Sequence, residues 1–350
     1  MPIKQVFRLW SLLTVLLAAV ASGGQTLAAE EFYQGKQVRL LVGTDPGGTF
    51  DLYARVLSRH LGKHIPGAPT FVVQNMPGTS SINMANYIYG NAPRDGTVFG
   101  ASQNTIPTAP LTNPAAAKFD SSKLSWIGSV TDDLYIGYLS STAPAKSMEE
   151  AKAIEVLIGG LSVGAFSIDM AILANEFFGT KFKIVTGYKT SPEIQLAVDR
   201  GEVHGVMGTS WNAFKRATPT WLPEGKVRMI VQYGFKRDAR FADVPLYIEF
   251  AQTDAQRQAI KFMVGNLVHG KPYFAPPEIP ADRLLILRRA FDATMKDTDF
   301  LKDIEASGVE ISNPMRGEEL AQFVAEESQT PASILRAIEG IMKKFTEGNR

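Results

Sequence analysis

The sequence predicts an α/β protein of two lobes, each a mainly parallel sheet flanked by helices. Three observations carry that prediction. Short apolar runs alternate with amphipathic helical stretches from Lys36 onward. The alternation comes as two series, the second opening near residue 125. The chain has 350 residues, more than the roughly 250–300 that one hydrophobic core usually organises. With 45% hydrophobic and 20% charged residues, the composition is that of a globular chain and excludes a disordered one.

In the first series, residues 37–43 (QVRLLVG) read as a buried strand, and Leu52, Val56, Leu57 and Leu61 place a helix over 52–61 by their spacing. A strand at 70–73, a helix at 82–89 and a strand at 97–101 follow. A β-α-β-α-β order of this kind implies parallel strands with helices across the faces. The second series runs through strands at 126–130, 135–139 and 154–158, a helix at 169–178, a strand at 182–185, a helix at 193–200, and strands at 203–207 and 227–231. Beyond 262–269 the chain turns helical, at 281–294, 299–306 and 318–343, with Gly201 and Gly308 fitting helix stops. The lobes are expected as 30–134 with 262–350, and 135–261.

The N-terminus has the organisation of a secretory signal peptide over residues 1–29. Lys4 and Arg8 precede an apolar run at 9–21, too short to span a bilayer, and small-residue cleavage sites follow. The chain has no cysteine, so disulfides, thiolate nucleophiles and thiolate metal sites are excluded. Lysine and arginine total 36 against 35 aspartates and glutamates, which gives no electrostatic footprint for nucleic acid. Of the four histidines, His60 and His64 stand four apart near a helix end. With no third ligand nearby they read as a solvated helix face, so no metal and no cofactor is expected.

Ligands of open α/β sheets bind beyond the carboxyl ends of the strands, and three polar turns lie there in the first lobe. Thr44-Asp45-Pro46-Gly47-Gly48-Thr49-Phe50-Asp51 links strand one to helix one. Its glycines let the backbone approach a ligand, and the following helix start offers unpaired N–H groups and a partial positive charge, a combination suited to a carboxylate or phosphate. Asp51 either caps the helix or bonds a ligand. The second turn is Asn75-Met76-Pro77-Gly78-Thr79-Ser80-Ser81, and the third is Ser102-Gln103-Asn104-Thr105. Together they supply many neutral donors and few fixed charges.

Gly160-Leu161-Ser162-Val163-Gly164 matches the G-x-S-x-G nucleophile elbow after a strand and before a helix. A secreted serine hydrolase using Ser162, with Asp199 or Asp243 and then His269, is therefore the alternative reading. No HGGG-type oxyanion segment accompanies it, and a binding loop over residues 164–169 fits the same stretch better. Trp211, beside Thr209 and Ser210 at a strand end, and Tyr188 with Lys189 are placed either in the core or lining a cleft.

These features resemble the Bug family of periplasmic solute receptors, which serve tripartite tricarboxylate transporters. The resemblance spans roughly residues 32–345. Tyr33-Gln34-Gly35-Lys36-Gln37-Val38-Arg39 stands where the family opens with a Tyr-Pro-x-Lys-Pro-Ile-Arg-like segment. Gly47-Gly48-Thr49-Phe50-Asp51 and Asn75-Met76-Pro77-Gly78-Thr79-Ser80-Ser81 stand where it has its two glycine-rich ligand loops. Ala92-Pro93-Arg94-Asp95-Gly96, Gly187-Tyr188-Lys189 and Asp243-Val244-Pro245 match further family turns. The family's Gly-Thr-Ser-Ser-His segment is replaced here by Gly164-Ala165-Phe166-Ser167-Ile168-Asp169.

The resemblance implies a type II periplasmic binding protein, not an enzyme. A small carboxylate, di-, tricarboxylic or aromatic, is held in the interlobe cleft and delivered to the membrane permease subunits of a tripartite tricarboxylate transporter. The binding residues are expected to be Pro46, Gly47, Gly48, Thr49, Asp51, Pro77, Gly78, Thr79, Ser80 and Asn104 in lobe one. Ser167, Asp169, Tyr188, Ser210 and Trp211 are expected to close over the ligand from lobe two. Phe50, in place of a family threonine, predicts room for an apolar ligand body. The protein is expected to be a periplasmic monomer.

Overall fold

A computed structural model describes residues 32–161 and 164–348; the expected signal segment at 1–29 and Ser162 lie outside the described residues. The chain divides into two compact units. One runs up to Thr131 and resumes over Lys271–Ser328, and the other comprises Asp132–Gly270 and the segment from Gln329.

The first unit opens with β1 (Gln37–Val42), α1 (Thr49–Leu61), β2 (Thr70–Asn75), α2 (Ile82–Gly90) and β3 (Val98–Ala101), the predicted βαβαβ series. A short helix α3 (Ala109–Thr112) and β4 (Ser125–Ser129) follow. In the second unit come β5 (Tyr135–Ser140), β6 (Val156–Gly159), α4 (Phe166–Phe178), β7 (Phe182–Val185), α5 (Ser191–Asp199), β8 (Gly205–Ser210), α6 (Trp211–Ala217), β9 (Val227–Tyr233) and α7 (Asp254–His269). The chain returns to the first unit with β10 (Pro272–Ala275), α8 (Ala281–Thr294), α9 (Thr298–Ala306), β11 (Met315–Arg316) and α10 (Gly317–Ser328). It ends in the second unit with α11 (Ala332–Gly348).

Both sheets are mixed. The first has the order β11-β4-β10-β3-β1-β2, parallel where β1 pairs with β2 and β3 and antiparallel around β10 and β4. The second has the order β7-β6-β8-β5-β9, parallel at β6 and antiparallel around β5. β5 and β10, each the first strand after the chain changes unit, are antiparallel to their neighbours. Alternate residues of one strand feed opposite faces: Leu40 joins a core with Phe99, Tyr273 and Phe291, while Leu41 joins one with Met84, Trp126 and Phe274.

Three differences from the sequence reading have local causes. The helix expected over 318–343 is two helices, α10 and α11, because Pro331 between them lacks the N–H that a continuous helix needs. The second of these packs Ile341 and Met342 on the core of the second unit. Helix α7 extends well ahead of 262 and begins at a capping box, in which the Thr253 side chain accepts from the Gln256 N–H and the Gln256 side chain returns to the Thr253 N–H. His60 and His64 are not a solvated face, since each imidazole Nε2 meets an aspartate, Asp303 within α9 at 2.8 Å and Asp297 at its N-cap at 2.7 Å. Among the described residues no three metal-ligating side chains cluster, and no helix is long and apolar enough to cross a membrane.

The β5–β8 contact depends on a glycine. A Cβ at Gly205 would lie 2.2 Å from the Tyr138 carbonyl oxygen, which is backbone and cannot turn aside. Gly205→Ala is therefore expected to destabilise by about 1–3 kcal/mol, lowering the melting temperature by roughly 2–10 °C in a calorimetric scan.

Candidate functional site

In the first unit, β3, β1 and β2 are neighbours and their carboxyl ends bring the three polar turns together. The joint among them is made by buried polar groups. Ser81 is fully buried; its Oγ donates to the Gly43 carbonyl at 2.9 Å and accepts from the Gln103 N–H at 3.1 Å. One hydroxyl thus ties the first, second and third turns. Gly43 makes this approach possible, since a Cβ there would sit 2.4 Å from the Ser81 Cβ.

Asp51 supplies the second tie. Its carboxylate is buried and accepts from the Gly47 N–H (2.8 Å), the Arg55 Nε (2.9 Å) and the Asn75 Nδ2 (2.8 Å). The same Asn75 amide donates to the Thr44 carbonyl at 2.9 Å. Burial pushes the Asp51 pKa up, but the bonds from Arg55, Gly47 and Asn75 outweigh it and hold the group below its ordinary value. The carboxylate folds its own loop back onto helix α1 in place of a conventional cap: the residue at the cap position, Gly48, has no side chain to bond.

Pro46, Gly47, Gly48 and Thr49 form the exposed tip of this turn, and Pro77, Thr79 and Ser80 the exposed rim of the second. Asn104 is half-buried in the third. The first N–H groups of α1 have no intrahelical partner. The second turn is conformationally unusual. Gly78 (φ 127°) is followed by Thr79, Ser80 and Ser81 at φ of 47°, 51° and 73°, three consecutive side-chain-bearing residues in the left-handed region. Each such residue costs on the order of 1–3 kcal/mol, and such strain persists where surrounding structure over-determines it. Phe50 differs from expectation: its ring face is covered by the Lys271 ammonium at 4.6 Å, a cation–π contact within the unit that removes this face as a wall for a ligand.

The second unit places its expected residues less uniformly. Ser167 and Ser210 line a cavity of about 250 Å³ with Thr209, Gln195 and the aromatic rings of Tyr135 and Phe166. No cationic or anionic side chain lines it. Asp169 is buried and accepts from the Gly164 N–H at 2.8 Å, folding its loop onto helix α4 as Asp51 does in the other unit. Here no cation assists, and burial raises its pKa against that single bond. Trp211 packs against Phe241 and Phe214, with Arg240 over its ring, and Tyr188 joins the same core cluster. Neither lines the cavity. The residues that sequence reasoning passed over are Ser81 and Asn75, whose turn was legible but whose buried bonds were not. Of the alternative triad, His269 is fully buried while Asp199 and Asp243 are exposed, so neither aspartate orients that imidazole.

The sequence matches the family described as "Tripartite tricarboxylate transporter family receptor" over residues 53–339. The chain belongs to this receptor family. Its second and third turns and the Asp132–Gly270 part of the second unit fall inside that match, while Pro46–Asp51 precedes it. A Cupriavidus necator relative, "UPF0065 protein in gbd 5'region", is 27% identical over 335 residues, covering 92% of each chain. The fold is similar to a TctC solute binding protein from Polaromonas, with TM-score 0.66 and 19% identity over 89% of this chain and 99% of that one. An R. palustris protein solved with adipate has TM-score 0.51 and 19% identity over 88% and 97%. As a member of a solute-receptor family, the chain is a binding protein and not an enzyme.

The two buried carboxylates respond oppositely to pH. Asp51 has a lowered folded-state pKa, so its contribution to stability is present above the unfolded value of about 3.9 and lost as pH falls through the folded one. Asp169 has a raised pKa, so its ionisation weakens the fold as pH rises from about 4 through the folded value. At pH 7, Asp51→Asn is expected to cost about 1.5–3 kcal/mol, roughly 3–10 °C in melting temperature. Asp169→Asn, which keeps an acceptor for Gly164, is expected to hold or raise it. Melting curves between pH 3 and 8 check both signs.

Proposed function

We propose that this protein is a periplasmic receptor that captures a small carboxylate and hands it to the membrane permease subunits of a tripartite tricarboxylate transporter. The observation that carries the reading is the stitched set of turns at the ends of β1, β2 and β3. The Ser81 hydroxyl and the Asp51 carboxylate are bonded within these turns, and what remains at the surface is the uncapped start of α1 with the small residues Gly47, Gly48, Thr49, Thr79 and Ser80. Such a surface offers backbone N–H donors and a partial positive charge to an anion, with no side chain in the way. Family membership supplies the receptor role, and the adipate carried by the similarly folded R. palustris protein is a carboxylate.

Asp51 and Asp169 act here as positioning residues, since both carboxylates are engaged with their own loops. Pro46, Pro77, Gly78 and Asn104 shape the first-unit surface. In the second unit, Ser167 and Ser210 contribute hydroxyls beside aromatic walls and no cation. That lining favours a ligand whose remaining part is apolar or aromatic over one with several further charges, because an unpaired charge is costly to desolvate. Trp211 and Tyr188 belong to the core cluster that holds the other lining residues Tyr138, Ile194 and Val206.

The test is a thermal-shift series on ligand-free protein with benzoate, adipate and citrate. A ligand at 100 times its dissociation constant stabilises by about 2.7 kcal/mol, roughly 5–10 °C. Benzoate or adipate is expected to exceed citrate. Gly48→Asp is the matching variant: its backbone (φ −76°) tolerates a side chain and the nearest atom to an added Cβ is 3.7 Å away. It is expected to keep the melting temperature and lose the ligand response at least tenfold, by placing a carboxylate where the ligand's would bind. An unchanged response would remove this turn from the site.

A further inference from the structure

The cavity that holds Ser167 and Ser210 exists because a strand stops early. β6 ends at Gly159 and pairs with β8 only at Ile158 and Gly205, while β8 runs on to Ser210. Met207–Ser210 therefore have β5 on one flank and, among the described residues, no strand on the other. Helix α4 packs on one face of this sheet, with Met170 and Leu173, and α5 on the other, with Ile194 and Val198. Their first turns and the turn after β6 enclose the gap beside β8, so both faces contribute to one space of about 250 Å³. Such a crevice beyond strand ends is where open α/β sheets bind ligands.

The polar groups lining it are unused. Gln195, Ser167 and Thr209 are only 6%, 6% and 8% exposed. Neither the Gln195 amide nor either hydroxyl has a hydrogen-bond partner among the described residues. The buried Gln232 of the same unit differs: its amide donates to the Phe241 and Val244 carbonyls and accepts from the Asp238 N–H. Buried polar groups are nearly always paired, so three without partners around one cavity mark a surface made for a polar group from outside. The remaining wall is aromatic and fixed. Phe166 meets Tyr135 and Tyr233 edge-on at 5.2 and 4.9 Å and lies against Gly208, where a Cβ would be 2.8 Å from its ring. No charged side chain lines the space. An amide supplies a donor and an acceptor, and a hydroxyl supplies either, whereas a second carboxylate would enter without a cation to meet it.

We infer that this cavity selects aromatic carboxylates bearing a neutral hydrogen-bonding group remote from the carboxylate. Gln195 is the specificity-determining residue, with Ser167 and Thr209 as its partners. The inference rests on the receptor reading above and narrows its ligand class.

The probes are 4-hydroxybenzoate, benzoate and terephthalate, titrated calorimetrically into ligand-free protein. 4-Hydroxybenzoate is expected to bind at least ten times more tightly than either of the others, because a site built to bond a hydroxyl is left unpaired by an analogue lacking it. Gln195→Leu and Thr209→Val keep side-chain bulk and remove the polar atoms. Gln195→Leu is expected to bring the ratio of 4-hydroxybenzoate to benzoate affinity below three, and Thr209→Val to at least halve it. The melting temperature of each variant is expected to hold or rise, since neither position makes a side-chain hydrogen bond to lose. Benzoate binding with a ratio near one, a preference for terephthalate, or an undiminished ratio in Gln195→Leu would each overturn the inference and leave the receptor reading standing. Binding of none of the three would overturn the aromatic-carboxylate reading beneath it as well.

Discussion

The arrangement of the three turns in the first unit depends on one buried hydroxyl. Ser81 Oγ stands between the carbonyl of Gly43, just past β1, and the N–H of Gln103, just past β3, and Ser81 itself is the N-cap of α2. A buried hydroxyl that both donates and accepts is fully used, and in a low-dielectric interior such bonds are costly to leave unmade. Bringing Ser81 this close to β1 requires Gly43 on the facing strand, and it forces Thr79, Ser80 and Ser81 into the left-handed region. The strain is local and the bonds that hold it are central. Asp51, through Gly47, Arg55 and Asn75, fixes the neighbouring turn to the same frame. The surface left over is made of small residues and offers backbone donors, which is what the proposed capture of an anion needs.

Much of this was legible in the amino acids, and the boundary of legibility has a physical basis. The βαβαβ opening could be read because β1 and β3 are short, mostly apolar runs between turn residues, and α1 because Val56, Leu57 and Leu61 repeat at helical spacing. The turns themselves could be read from Pro-Gly-Gly and Pro-Gly. What could not be read is which polar atoms of those turns face inward. Ser80 and Ser81 are identical in sequence context, yet one is at the rim and the other has no exposure at all. Phe50 looked like a ligand wall because nothing in the sequence places Lys271, more than two hundred positions away, over its ring. Helix α7 escaped the periodicity argument because its capping signature, Thr253 with Gln256, lies ahead of its most apolar stretch. Pro331 carried the break between α10 and α11 in plain sight.

The two units use one device under different electrostatics. In each, an aspartate in the first turn of a helix reaches back to the amide of a preceding glycine, Asp51 to Gly47 and Asp169 to Gly164. In the first unit Arg55 neutralises the carboxylate, so the nearby amides face a site without net negative charge from that group. In the second no cation assists, and the cavity that includes Ser167 and Ser210 is neutral and aromatic-walled.

The central claim is that backbone amides of the stitched turns hold a carboxylate. Amide chemical-shift perturbation on isotopically labelled, ligand-free protein titrated with benzoate tests it most directly. The account predicts the largest shifts at Gly48, Thr49 and Phe50 and at Thr79 to Ser81, with smaller ones at Ser167 and Ser210. Saturable shifts confined to other residues, with these amides unmoved, would contradict it.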